Sequence, residues 1–207
     1  GSDTYWRIYA KHNGRDEYEY QSGLDANDDW YTTRAGFRID STPTARDSIT
    51  LQGDIYGGDI HQNLFLADLT APPMFMNTFA VETAVSGGNL LSRWKRTLSP
   101  TSDFTLQAYY DTSERNEDFI NETRHNFDID FQHRFNIQER HEFIWGLRFR
   151  YSHDDFSDPD TIMTTVADIR PDSQEDYLYS GFIQDAISFF DNRLHLTLGS
   201  KFEHNDY

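Results

Sequence analysis

Hydrophobic and polar residues alternate along most of this chain with a period of two. Phe127, Ile129, Phe131 and Phe135 share one parity, and after NIQER the pattern restarts with Phe143, Trp145, Leu147, Phe149 and Tyr151. A period of two puts successive side chains on opposite faces of a strand, so these runs and the turn between them predict a β-hairpin. Read the same way, the chain predicts nine strands, near residues 4–12, 30–40, 48–57, 89–98, 103–113, 123–135, 141–152, 177–189 and 193–204. No segment carries a helical period. The stretch Leu64 to Val85, with Pro72-Pro73 inside it, is too broken for a helix and falls within a long connection.

The connections alternate in length. STPTARD (41–47), SPTS (99–102), NIQER (136–140) and FDN (190–192) are short, and the segments 13–29, 58–88, 114–122 and 153–176 are mostly long. Tight turns at one end and long loops at the other characterise outer-membrane barrels. A soluble β-sandwich has no reason to keep that asymmetry. The expected architecture is all-β: an antiparallel up-and-down meander of about nine strands, part of a large transmembrane β-barrel. The whole of 1–207 is read as one partial barrel domain.

The two faces of the strands differ in chemistry. One presents Ile49, Leu51, Ile55, Phe104, Leu106, Ala108, the 127–135 and 143–151 sets, Leu194, Leu196, Leu198 and Phe202. The other presents Thr50, Gln52, Asp54, Gln107, Tyr109, Asp111, Asp128, Asp130, Arg148, Arg150 and Lys201. The second face is too charged to fill a small barrel and suits a wide, wet lumen. A strand of about ten tilted residues spans the apolar band of an outer membrane. Aromatics near strand ends (Tyr110, Phe135, Phe143, Tyr151, Phe189, Phe202) read as interfacial girdles. The strand at 177–189 has no clear facing, because Phe182 and Ile183 compete and Gln184-Asp185 interrupts both choices.

Composition narrows the function classes. Aromatics reach 15% while hydrophobic residues total only 37%, an unusual basis for a soluble core. The net charge of -17 makes nucleic acid a poor partner, since phosphates need a basic patch. The acids concentrate at 15–29 and 154–176, where they read as solvated loops. The chain has no cysteine, which excludes disulfides and thiolate-bound metals. No apolar run is long enough for a transmembrane helix. Ser92 and Lys95 match an S-x-x-K nucleophile motif, but a strand turns them to opposite faces. No catalytic constellation, metal site or cofactor is expected.

GGNLLSRWKRTLSPTSDFTLQAYYD (87–111) resembles the barrel of TonB-dependent outer-membrane receptors. DSITLQGDIYGG (47–58), FDIDFQHRF (127–135), ERHEFIWGLRFRYS (139–152) and RLHLTLGSKFEHNDY (193–207) are similar to neighbouring hairpins of that family. The resemblance implies a barrel of about 22 strands closed by an N-terminal plug. It also implies a Gram-negative outer-membrane location and uptake of a scarce nutrient, chiefly a ferric siderophore or related iron complex. Energy would come from the TonB complex through the plug. No plug, TonB box, signal peptide or terminal aromatic strand is visible, so the chain is expected to be a piece of barrel wall. Its expected partners are outer-membrane lipid, lipopolysaccharide and a small-molecule ligand. The alternative reading is a soluble all-β ligand-binding module, such as a carbohydrate-binding one.

The candidate ligand-binding residues follow from this arrangement. Arg34, Arg38, Arg148 and Arg150 face the proposed lumen, where guanidinium groups suit planar oxyanions. The competing role for them is pairing with Asp54, Asp111, Asp128 and Asp130. Tyr109 shares their face. Met74 and Phe75 lie in the longest predicted loop and are candidates for ligand contact outside the cell.

Overall fold

A computed structural model describes residues 3–67, 70, 72–74, 76–118, 120–138, 140–157, 171–191 and 193–206. Nine strands account for nearly all of them: β1 (Thr4–Arg15), β2 (Trp30–Thr44), β3 (Asp47–Ala67), β4 (Met76–Ser99), β5 (Ser102–Asn116), β6 (Asn121–Ile137), β7 (His141–Ser157), β8 (Ser173–Phe189) and β9 (Leu194–Asn205). They form one antiparallel sheet in sequence order, β1 to β9. Every strand therefore pairs with its neighbours in sequence.

The ladder registers put side chains of one parity on one face across the entire sheet. Across β5, β6, β7 and β8, Leu106 stands opposite Phe131, Phe131 opposite Leu147, and Leu147 opposite Gly181. On the reverse face Gln107 stands opposite Asp130, and Asp130 opposite Arg148. The apolar face meets no second sheet. Phe127, Leu147 and Leu196 are 39%, 59% and 44% exposed, and Val81 is the only buried hydrophobic residue among those described. A soluble sandwich would bury these side chains between two layers, so that reading does not fit.

The strands run well past the predicted ends. The expected long connection 58–88 is mostly ladder: β3 and β4 pair continuously from Asp47 with Arg96 to Ala67 with Met76. At about 3.4 Å per residue, the 21 residues of β3 extend far beyond a membrane's apolar band. Alternation of hydrophobicity is lost there because a wet ladder needs no apolar face. Backbone pairing and inter-strand polar bonds hold it instead. Tyr31 donates to the Asp59 carboxylate, His61 Nδ1 lies 3.0 Å from Asp29 Oδ2, and Asn63 Nδ2 donates to the Ala26 carbonyl at 2.9 Å. The loop acids are likewise partly paired: Arg15 binds Asp28 at 2.9 Å, and Arg124 binds Asp154 at 2.5 Å within the β6–β7 ladder.

Strand β8 resolves its ambiguous facing. Ile183 joins the apolar face opposite Trp145, and Phe182 joins the polar face opposite Gly146. A Cβ on Gly146 would lie 2.5 Å from the Phe182 ring. The bare glycine is what admits an aromatic ring onto an otherwise polar face. Asp185 stays on the apolar face near the tight turns, where its Oδ2 lies 2.7 Å from His141 Nδ1.

Aromatic rings border the apolar band at both ends. Toward the long connections Tyr110, His125, His153 and Tyr151 stack in sequence across three strands, and Tyr177 on a fourth packs against Tyr151 at a tilt. Toward the short turns Trp94 packs edge-on against Phe104, and Phe135 stacks on Phe143. Trp94 Nε1 donates to Asp47 Oδ1 at 2.9 Å. Phe202, near the end of β9, stands opposite Gly181 on the apolar face.

Candidate functional site

Every lysine and arginine within the nine strands except Arg96 lies on the polar face. Arg96 sits on the apolar face beside Asp47, its Nη1 at 3.4 Å from Oδ1. A chain with a net charge of -17 thus lines one surface with its cations. Such a surface is the candidate site, and it divides into two clusters.

The first cluster centres on Asp128. Tyr109 stands opposite it on β5 and Arg150 opposite it on β7. Asp128 is buried, and its Oδ2 accepts from Arg148 Nε at 2.8 Å and from Arg150 Nε at 2.9 Å. Two guanidinium groups share one carboxylate, which fixes both and leaves the group with one surplus positive charge. Charge-assisted bonds of this kind order the wall.

The second cluster is on β2, about five inter-strand spacings from Arg150, or ~24 Å. Arg38 donates to Asp40 at 2.6 and 2.9 Å and to Gln52 Oε1 at 3.0 Å. The guanidinium of Arg34 lies over the Tyr56 ring, 5.5 Å from its centroid. A cation held by a π-face keeps its full charge.

The predicted residues therefore fall apart into groups. Tyr109, Arg148 and Arg150 come together, Arg34 and Arg38 form a separate group, and Met74 is exposed near the end of the β3–β4 hairpin. Phe75 lies outside the described residues. Of the carboxylates expected to pair with the arginines, Asp128 does so. Asp111 instead accepts from Asn126 at 3.1 Å, and Asp54 Oδ1 is buried without a hydrogen-bond partner. Arg38 takes Asp40, two residues along its own strand, a partner the alternation allows but does not select. Sequence reading missed Arg7 and Lys11. Their parity in WRIYAKH marks them as polar-face residues, but only the β1–β2 register puts them opposite Arg38 and Arg34.

Among the described residues no group of three or more His, Asp or Glu side chains is placed to hold a metal ion. In the acidic segment 15–29, Asp28 binds Arg15 and the Tyr18 amide, while Asp29 lies against His61. Ser92 stands opposite Leu51 on one face and Lys95 opposite Ser48 on the other, so no nucleophile pair exists there.

No protein-family model and no curated protein sequence matches the chain. Solved structures do resemble it. The ferripyoverdine receptor of the Pseudomonas aeruginosa outer membrane superposes with a TM-score of 0.63 at 10% identity, over 98% of this chain and 33% of the receptor. The ferric preacinetobactin receptor of Acinetobacter baumannii gives 0.61 at 10% identity, over 98% of this chain and 40% of that one. The chain thus spans between a third and two-fifths of these receptors. Its fold is that of a segment of the outer-membrane β-barrels of these receptors. In such barrels the apolar face is turned to lipid and the polar face to the lumen.

Proposed function

We propose that this chain is wall of an outer-membrane receptor that imports a metal complex, most simply a ferric siderophore or related iron complex, with energy from the TonB complex. The observation that carries the reading is the sorting of side chains over one nine-stranded sheet. An exposed aromatic and aliphatic face suits outer-membrane lipid and lipopolysaccharide, and a face holding the strand cations suits an anionic chelate. The similarity to two siderophore receptors supports the same reading.

In this mechanism the projecting hairpins, with Met74 on the longest, meet the ligand outside the cell. The wall's cations then guide it through the lumen once the plug is displaced. The wall supplies field and contact and no covalent step. Fractionation and iron-limited growth test the reading. The full-length protein is expected in the outer membrane, and its deletion is expected to slow growth on a chelated iron source. Recovery in the soluble fraction without detergent, or unchanged growth on every iron chelate tried, overturns it.

A further inference from the structure

The β1–β2 ladder carries two cross-strand pairs of like charge on its polar face. Arg7 stands directly opposite Arg38, and Lys11 directly opposite Arg34. All four are exposed. Like charges directly opposite on one face destabilise a sheet. Two such pairs in one ladder oppose folding unless something else holds them there.

Among the described residues one carboxylate, that of Asp40, offsets the four cations. Asp40 binds Arg38 and acts more weakly on Arg7. Lys11 and Arg34 have no carboxylate partner among the described residues, and Arg34 rests on Tyr56. Asp54, the nearest acid to the centre, stands opposite Gly36 with its Oδ1 buried. A Cβ on Gly36 would meet that oxygen at 2.6 Å and the Tyr9 ring at 2.7 Å. The ring and the carboxylate thus pack together over the glycine, and Asp54 is drawn back from the surface. The polar face here presents four cations in two opposed pairs, with Arg34 resting on Tyr56 and Arg38 on Asp40 and Gln52. Arg34 and Arg38 are four residues apart, ~13 Å along the strand. Side chains as long as these and those of Arg7 and Lys11 can reach one ligand bound between the two pairs.

We infer that Arg7, Lys11, Arg34 and Arg38 form a seat for a multivalent small-molecule anion, one bearing several carboxylate or phosphate groups. This rests on the receptor reading and sharpens it. The anion seat is on β1–β2, and the Arg148–Asp128–Arg150 cluster, whose two guanidinium groups are fixed on one shared carboxylate, is wall architecture. One anion would relieve both like-charge pairs at once, which makes the seat selective for several charges over one.

The test uses the full-length protein in detergent, with citrate and tripolyphosphate as multivalent probes and acetate as the monovalent comparison at matched ionic strength. Calorimetry is expected to give citrate or tripolyphosphate at least tenfold tighter binding than acetate, and whichever of the two binds better identifies the anionic group. The K11Q/R34Q double variant is expected to lose at least tenfold of that affinity while unfolding at a higher temperature, because like-charge repulsion is removed. A purely structural role would not raise stability and lower affinity together. K201Q, at a lysine bonded to Glu203 at the far edge of the sheet, is expected to bind within twofold of the parent. Equal binding of acetate and citrate, or K11Q/R34Q binding like the parent, overturns the seat. Neither result touches the receptor reading, which stands or falls on membrane location and growth on chelated iron.

Discussion

Arg148 and Asp128 meet across the β6–β7 ladder with Nε 2.8 Å from Oδ2, and the same oxygen takes Arg150 at 2.9 Å. The carboxylate is buried while both guanidinium groups keep a solvent-facing side. Asp128→Asn removes the one carboxylate that bonds both guanidinium groups. Bonds to charged groups contribute about 1.5–3 kcal/mol each, less where one partner is solvated. The expected loss is about 2–3 kcal/mol, read as a lower unfolding temperature in detergent. Adding Arg150→Gln should restore part of it. An unchanged midpoint for Asp128→Asn would show that the pair contributes nothing.

The apolar face carries a second prediction. Leu147 lies mid-band and is 59% exposed. On the receptor reading proposed above, a cation there faces the lipid interior, at a cost of about 2–4 kcal/mol near the bilayer midplane. Leu147→Arg is therefore expected to reduce the amount of folded protein in the outer membrane. Gln132→Lys, on the other face one strand away, is expected to assemble normally. Equal yields for the two would mean that the faces are wrongly assigned.

The turn of the central hairpin holds a non-glycine residue in the left-handed region, Gln138 at φ 58°. That conformation costs an ordinary L-residue about 1–2 kcal/mol. Gln138→Gly is expected to stabilise the β6–β7 hairpin by about 1 kcal/mol, measured as slower thermal unfolding of the detergent-solubilised protein. A destabilised variant would argue that the Gln138 side chain makes bonds that outweigh the strain.

The hairpin extension beyond the membrane band has a titratable clasp. Tyr31 donates to Asp59, and that bond holds the phenol's pKa above its ordinary value of about 10. A raised folded-state pKa gives stability that is fully present below the unfolded value and is lost as pH rises through the folded one. The outer part of the β2–β3 ladder is thus expected to loosen only in strong alkali, above the pH at which free tyrosine ionises. Tyr31→Phe should abolish this dependence. Hydrogen exchange at Tyr31 to Thr33 across the alkaline range is the measurement. Identical profiles for parent and variant would rule out the clasp.

Nine strands, their order and, β8 apart, their facing were legible because a sheet with one apolar and one polar face enforces strict alternation. A residue of the wrong parity there is exposed to the wrong solvent. Phe127 to Phe135 and Phe143 to Tyr151 could be assigned without any tertiary information for that reason. The rule weakened where that constraint ended. Above the band β3 and β4 continue as a wet ladder with no periodic signature, so Asp59 to Ala67 and Met76 to Gly88 read as loop. In β8 the competition between Phe182 and Ile183 was settled by Gly146, a residue on another strand that leaves room for a ring.

The candidate site divides in the same way. Parity alone, a local property of each strand, put Arg34, Arg38, Arg148 and Arg150 on one surface. Which of them are neutralised depends on cross-strand register, which is set by the pairing of whole strands and by turn geometry. Register brought two arginines to Asp128, drew Asp54 back beside Tyr9, and set Arg7 against Arg38 and Lys11 against Arg34. The sequence by itself determined that this protein has one apolar and one charged face. Only the tertiary structure decided where on the charged face positive charge is left over, because that depends on which strands' side chains share a row.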